Sequence, residues 1–586
     1  MAIIAFVFTA ILCCAPRGAD AKLSPAISVE EFLKCSLLKP EDRRVNVSAT
    51  EVVHTKSGRV QGFTQKICNW ETVASFMGIP YARPPVGELR FSPPKPLDSW
   101  SGVLNATRPA NSCLQVSDSS SFGGHQGVLM WNVNSVLSED CLQLNIWTPT
   151  LKRKVGVLLW IFGGSYNSGT ITLNVYDGAT LAALFDVVVV TINYRIGPLG
   201  FMYLGTPDIP GNMGLMDQQL ALKWVHDNIG FFGGLPDRVT IMGESSGSVS
   251  IGLHLLIPES ARLFRSAIML SGAPLSEWGW TPRATILDYS YQTARCAGCA
   301  TTELGALHAC LMRVDPVRLT ECQFEDYGGA KVKHFLKMAF TPTQDAIGFL
   351  SRDPHETLSD PAFLMNVIHP KRVLLGVTRN EGNYFLVNYV QPRLHDYQRE
   401  FPNRSLTRAE FEDYVAKIYS EPNFRNNRCM MSALLDAFYV DRLSEPEGTG
   451  PAAGGPWPSG PSSNVGSDGT SPTTGPSMLK YLSVLDSVLG ETQFKCPMIS
   501  MANALSTAGW TLFFYSFEER SRDNPWPQWM GVLHGYEIEF LLGAPALSDN
   551  YTIPERQLSH RMMTAWTNFI NTEYPISLLI YIHYNC

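Results

Sequence analysis

Two kinds of hydrophobic pattern alternate along the chain. Val155–Phe162 (VGVLLWIF) and Val187–Asn193 (VVVVTIN) are near-continuous apolar runs rich in β-branched residues, the pattern of strands buried on both faces. Val239–Met242, Ser266–Leu270, Arg372–Val377 and Trp510–Phe517 read the same way. Met216–Ile229 instead has helical spacing, with Leu220, Leu222, Trp224 and Val225 as expected core contacts. Strand runs with helical segments between them predict an α/β protein with a large, mostly parallel central sheet flanked by helices. No internal repeat is visible. Segment 445–477 breaks the pattern: Gly, Pro and Ser supply 21 of its 33 residues. Such a segment buries too little apolar surface to offset its ordering entropy. It is expected to be a flexible surface insertion and not a domain boundary, because β-rich sequence resumes after it.

Length alone, 586 residues, would allow about four domains at roughly 150 residues each. The continuous alternation favours one large domain, 22–586. The hydrophobic fraction of 45% and charged fraction of 17% suit a large buried core. The net charge of −7 argues against nucleic acid as a partner, since phosphate backbones need a basic face. The N-terminus points to a compartment. Ala2–Cys14 is apolar and Ala19-Asp20-Ala21 resembles a cleavage site, so residues 1–21 read as a secretory signal peptide and the protein as extracellular. Sequons at Asn46, Asn105, Asn403 and Asn550 fit that route. The 13 Cys show no metal-binding spacing, and no metal or cofactor is expected. Losing the signal removes Cys13 and Cys14, which leaves an odd number.

The chemistry centres on Gly243-Glu244-Ser245-Ser246-Gly247. This G-x-S-x-G lies between the strand Val239–Met242 and a helix-compatible run, the setting of a nucleophile elbow that projects a serine hydroxyl at the top of a sheet. Upstream, Phe162-Gly163-Gly164-Ser165 ends a buried strand, where backbone amides can form an oxyanion hole together with the Ser246 N–H. An acid and a histidine should follow Ser245 in that order. His534 stands out within Gly531–Gly535, a loop after the Trp510–Phe517 strand. His560, in an apparent helix, and His583, near the chain end, are its rivals. Glu381 follows the Arg372–Val377 strand, where such sheets present catalytic groups. The residues themselves do not choose decisively between Glu381 and Asp345.

At this point six stretches carry a resemblance. Phe76–Phe91 (FMGIPYARPPVGELRF), Ser138–Trp147, Asn193–Phe201, Lys223–Gly234, Val239–Gly247 and Trp526–Phe540 (WPQWMGVLHGYEIEF) resemble the carboxylesterase/cholinesterase family of α/β-hydrolases. The likeness spans most of Val52–Asn571 apart from the insertion. It implies Ser245 as nucleophile, Glu381 as acid and His534 as base, with Gly163, Gly164, Ser165 and Ser246 as oxyanion donors. It implies a small cationic ester as substrate, acetylcholine above all. Trp131, Glu244, Tyr384, Phe385 and Tyr176 would form the choline site, with Tyr536 another match along the gorge that leads to it. Trp278, Met338, Phe340 and Phe385 would form the acyl pocket, and Asp118 the peripheral carboxylate. It also implies the disulfides Cys113–Cys141 and Cys299–Cys310, and one end of a third at Cys496. Cys35, Cys68, Cys296, Cys322 and Cys429 receive no assignment.

Several positions depart from the family pattern. Ser165 stands where a third glycine is usual, and Ser246 where alanine is commoner. Met338 replaces an acyl-pocket phenylalanine, which predicts room for acyl groups larger than acetyl. Val116, Asn167 and Asn388 replace rim aromatics. The segment 572–586 reads as an unrelated tail, too short for a transmembrane helix and without a lipid-attachment signal, so membrane association would need an anchor or partner. Homo-oligomerisation is left open. Two other readings stand beside the choline esterase: a carboxylesterase of broader specificity, and a catalytically weak adhesion protein of the same fold.

Overall fold

The computed structural model describes residues 27–69, 71–117, 125–325, 338–390, 408–418 and 476–575. The expected signal peptide, Asn403 and the insertion up to residue 475 lie outside them. Ten strands form the central sheet. In chain order they are β1 (Arg44–Ala49), β2 (Phe63–Ile67), β3 (Glu71–Pro80), β4 (Gln143–Thr148) and β5 (Val155–Ile161). There follow β6 (Val188–Ile192), β7 (Gly234–Glu244), β8 (Ser266–Leu270), β9 (Arg372–Thr378) and β10 (Thr511–Phe517). Across the sheet they run β1-β2-β3-β4-β6-β5-β7-β8-β9-β10. From β6 to β10 every pairing is parallel. From β1 to β6 every pairing is antiparallel. In the antiparallel half β1, β2 and β3 are part-exposed and β4, though buried, carries Gln143, Asn145 and Thr148, so none shows the apolar runs that mark buried strands.

The six apolar runs all become strands, and the helical pattern becomes the helix Met213–Asn228. Strands β5, β6 and β8 are buried throughout. β10 is not: its residues are mostly half-exposed, because it is an edge strand. One face of it is met by the helix Ile553–Thr572, through Trp566 on Tyr515 and Phe569 on Phe513. That helix also packs on β5 and β7.

Two boundary expectations change. The helix Pro476–Gly490 begins two residues inside the expected insertion. The expected tail also begins too early. Thr572 ends the long helix, and Glu573 is buried and paired with both Arg265 and Arg372. Two part-buried carboxylate–guanidinium contacts fasten this stretch to the domain, so it is not foreign to the fold.

Four disulfides staple the chain. Cys113–Cys141 and Cys299–Cys310 form as the resemblance implies. Cys35–Cys68 and Cys296–Cys322 are additional. Among the described residues Cys496 has no partner and is exposed.

Candidate active site

The site is built where the parallel strands end. β7 runs through Glu244 into Ser245, and the helix Ser246–Leu256 starts immediately. Ser245 adopts φ 57° and ψ −125°. A non-glycine residue pays on the order of 1–2 kcal/mol for a conformation of this kind. The tightness explains the flanking glycines. A Cβ on Gly247 would lie 2.1 Å from the Ile161 carbonyl oxygen, and one on Gly243 2.5 Å from it. Ser245 is nearly buried, and its N–H donates to Leu270 O at 2.9 Å.

The turn after β5 comes against this elbow. A Cβ on Gly163 would fall 2.9 Å from Ser245 Cβ. Ser165 and Tyr166 both take φ 58°. Ser246 Oγ accepts the Tyr166 N–H at 3.3 Å, so the serine that replaces alanine ties the turn to the start of the helix. The Ser246 N–H is one of the first amides of that helix, which have no intrahelical partner. Gly163 and Ser246 thus meet at the nucleophile, and Gly164 and Ser165 continue the same turn.

Glu381 begins the short helix Glu381–Phe385, just past β9. It is fully buried. Oε1 accepts from Ser271 Oγ and from the Thr378 N–H, both at 2.7 Å. Oε2 lies 2.7 Å from His534 Nδ1. Burial alone would raise its pKa, but His534, Ser271 and Thr378 outweigh that and hold it below its ordinary value. The acid and histidine loops are joined directly. Asn380 N–H donates to Val532 O, and Val532 N–H to Asn380 Oδ1, each at 2.9 Å. Gly531, at φ 71°, leaves room for that amide: a Cβ there would sit 2.1 Å from Asn380 Oδ1. Asp486, on the helix after the insertion, accepts from Asn380 Nδ2 at 2.7 Å and the Asn383 N–H at 2.9 Å.

The rivals fall elsewhere. Asp345 accepts the backbone amides of Ile347, Phe349 and Leu350 and closes its own loop. His560 packs on Phe32 and Phe185 and reaches Ile27 O at 2.6 Å. His583 lies outside the described residues.

The other ring nitrogen of His534 has a partner that the sequence did not announce. Nε2 stands 2.9 Å from Glu244 Oε1, and no hydrogen bond joins it to Ser245. Burial pushes the imidazole pKa down, but Glu244 and Glu381 more than offset it and hold it up at about 10. In this arrangement the ring is an imidazolium between two carboxylates. To act as a base it must lose its proton and turn Nε2 from Glu244 to Ser245. Glu537 is the third carboxylate here, fully buried; burial, then the charges of Glu244 and Glu381, push its pKa up.

Aromatic rings line the space around these groups. Trp131 lies 6.3 Å from Tyr536 and 6.5 Å from Tyr176. A Cβ on Gly535 would meet the Trp131 ring at 3.6 Å and Glu244 Oε1 at 3.4 Å. An indole face, a carboxylate and the residue after His534 therefore converge. Tyr384 packs edge-on against Phe385 and Trp526. On the other side Trp278, Met338, Phe340 and Phe385 are buried in one hydrophobic cluster. Phe494, unforeseen from sequence, completes it. Its ring stands 4.8 Å from both Phe385 and His534 and 5.4 Å from Trp278. It is carried by a π-helical turn, Glu491–Lys495, just before Cys496. Asp118 lies outside the described residues. Val116 is exposed.

Comparison with known proteins agrees with this arrangement. The model of the carboxylesterase family matches residues 49–584, a span that runs well beyond Asn571. A cholinesterase of Mus musculus is 38% identical over 528 residues, covering 89% of this chain and 79% of that protein. An acetylcholinesterase of Bungarus fasciatus is 36% identical, covering 89% and 78%. One of Danio rerio is 34% identical over 558 residues, covering 89% and 80%. With its strand–serine–helix elbow and its histidine–glutamate couple, the chain belongs to the carboxylesterase family and is a serine carboxylic-ester hydrolase of the α/β-hydrolase fold.

Proposed function

We propose that the protein is a secreted choline esterase, with acetylcholine as its principal substrate. The observation that carries this is the meeting of the Trp131 indole and the Glu244 carboxylate at Gly535, the residue after His534. A quaternary ammonium donates no hydrogen bond, so it is held by ring faces and by charge, at roughly 0.5–2 kcal/mol per ring. Tyr384, Phe385 and Tyr176 add aromatic surface, and a cation held there sets its ester carbonyl beside Ser245. In the reaction His534 takes the Ser245 proton as Oγ attacks the carbonyl. Glu381 orients the imidazole and stabilises its cation. The amides of Gly163, Gly164, Ser165 and Ser246 supply donors to the oxyanion, each worth about 2.7–4 kcal/mol of barrier. The alcohol leaves, and water activated by His534 releases the acid. The names of the relatives support choline esters over a broader ester range. The presence of serine, glutamate and histidine in one place weighs against a purely adhesive role. The signal-like N-terminus and the disulfides support secretion.

The test is turnover of acetylthiocholine against an uncharged thioester of equal acyl length. The choline ester should be preferred by at least about tenfold in kcat/KM, the equivalent of about 1.4 kcal/mol of cation binding. Ser245→Ala should abolish both activities. Equal turnover of the two substrates would leave the broader carboxylesterase as the better account.

A further inference from the structure

The central sheet ends in an edge strand on either side. β10, at one edge, has one face covered by rings from the helix Ile553–Thr572. β1, at the other, pairs only with β2. Among the described residues nothing bonds to its outer side. Five of its six residues are exposed, including Val45 at 40% and Val47 at 53%. Val45–Ala49 carries no charge and no proline. Arg44, paired with Asp177, is the one charge on this strand, and an exposed stretch without charge, with unpaired outer N–H and C=O groups, is a template for a second chain. One device already weakens it: the register slips between Asn46 and Ser48, a bulge at Val47. The usual lysine or proline is missing from this stretch.

A sequon occupies the same place. Asn46-Val47-Ser48 is the middle of the strand. Asn46 is exposed, its Oδ1 accepts from Gln65 Nε2 at 2.9 Å, and its Nδ2 makes no hydrogen bond among the described residues. Gln65 is held in turn by Ser75 and Arg44. The carbonyl of the Asn46 amide is thus committed to the sheet while its nitrogen is free. The sequon at Asn550 differs, since its Nδ2 donates to Asp523 at 2.9 Å.

We propose that Asn46 carries an N-linked glycan that caps the open edge of the central sheet and keeps two copies of the chain from pairing through it. The modification forms a bond from Asn46 Nδ2 to C1 of the sugar. The bond between that C1 and the pyrophosphate of a lipid-linked oligosaccharide donor breaks, and the pyrophosphate leaves as the amide loses one proton. Oδ1 and its bond to Gln65 are unaffected. The bulk of the glycan then lies over a strand that no side chain protects. The inference rests on the secretory reading above.

The experiment uses the full chain secreted from glycosylating eukaryotic cells. Glycopeptide mass spectrometry reads occupancy at Asn46, Asn105 and Asn550, and sedimentation reads molar mass. Asn46 should be occupied. Ser48→Ala, which removes the sequon but keeps Asn46 and its bond to Gln65, should raise the weight-average mass at least about twofold over wild type at equal concentration. Adding Val47→Lys to Ser48→Ala should restore the wild-type mass, and should restore secretion if Ser48→Ala alone is retained in the cell. Asn105→Gln should leave the mass of the polypeptide assembly unchanged. Occupied Asn105 or Asn550 with Asn46 bare would overturn the proposal and leave the secretory reading intact. No glycan at any of the three would overturn both. A Ser48→Ala protein of wild-type mass, or a lysine that rescues nothing, would overturn the capping role.

Discussion

At Glu244 one carboxylate is placed to do two opposed things. It stands 2.9 Å from His534 Nε2 and also beside the Trp131 ring at Gly535. A substrate cation drawn to it would compete with the imidazolium for the same charge. Replacing Glu244 with glutamine removes one of the two charges that raise the imidazole pKa. A base works only when neutral, so activity appears as pH rises through that pKa. The acidic limb of kcat/KM should therefore move to lower pH in Glu244→Gln, while KM for the cationic ester rises. Profiles taken across about pH 5 to 11 decide it; an unmoved limb would separate Glu244 from the histidine. Met338 offers a second single-residue test. It is buried with Trp278, Phe340 and Phe494, and an unbranched thioether adapts its shape to what it meets. Acetyl- and propionylthiocholine should have kcat/KM values within about threefold of each other, and Met338→Phe should widen the gap to about tenfold or more.

Elements deliver these side chains through their ends. Ser245 is the last residue before a helix, Glu381 the first residue of one, and His534 lies in a loop bonded to the Glu381 loop through Asn380. The helix Pro476–Gly490 contributes Asp486 to the same joint. Its position right after a Gly/Pro/Ser-rich segment gave no hint of that role. Another element end fixes the C-terminal helix. Thr552 Oγ1 accepts the Glu555 N–H at 3.4 Å, and Glu555 Oε2 returns to the Thr552 N–H at 2.5 Å, a capping box with Pro554 just inside the helix. Caps of this kind are worth about 1 kcal/mol. Thr552 is also the third residue of the Asn550 sequon. After deglycosylation of both proteins, Thr552→Ala should therefore lower unfolding free energy by about that amount with kcat unchanged, since the bonds of the cap join Thr552, Glu555 and Arg522 and none reaches Ser245. Denaturant titration with parallel kinetics checks both halves.

For the whole molecule, buried ionisable groups set how stability depends on pH. Burial, the leading cause, raises Asp486 to about 6 and Glu539 to about 7, and Glu537 also lies above its ordinary value. Each holds its proton more tightly folded than unfolded, so stability falls as pH rises from the ordinary to the raised pKa. His534 acts in the same direction: raised to about 10, its contribution is complete below about pH 6.5 and lost as pH climbs through the folded value. His254 opposes them. Burial lowers it to about 3, so the unfolded chain binds the proton first and stability rises with pH, but only up to about 6.5. The opposing contributions overlap in acid. Above neutrality the falling ones remain, opposed above about pH 8 by Lys371, whose pKa burial lowers to about 8. The Tm should drop by at least about 2 °C between about pH 6.5 and 9, and a Tm that rises across that window would show the carboxylates to be ordinary.

The sequence by itself determined the six apolar strands, the helix before the elbow and Ser245 at the strand-to-helix turn. These are local properties: a run of β-branched residues can only be satisfied by burial on both faces, and a tight turn needs glycine where a Cβ would strike backbone. The Ser-Glu-His order was also legible, although the residues alone left Asp345 beside Glu381. Tertiary structure sets Glu381, and not Asp345, against His534, through contacts between distant parts of the chain: His534 and Glu381 are 153 positions apart, Ser271 and Glu381 110. The same kind of contact brought in Asp486, Glu537 and Phe494 and paired Cys35 with Cys68 and Cys296 with Cys322. It also gave the sheet its antiparallel half, whose strands mix polar with apolar residues and so leave no continuous hydrophobic signature. Local pattern encodes what each segment prefers; which segments meet is decided only when the chain buries them against one another.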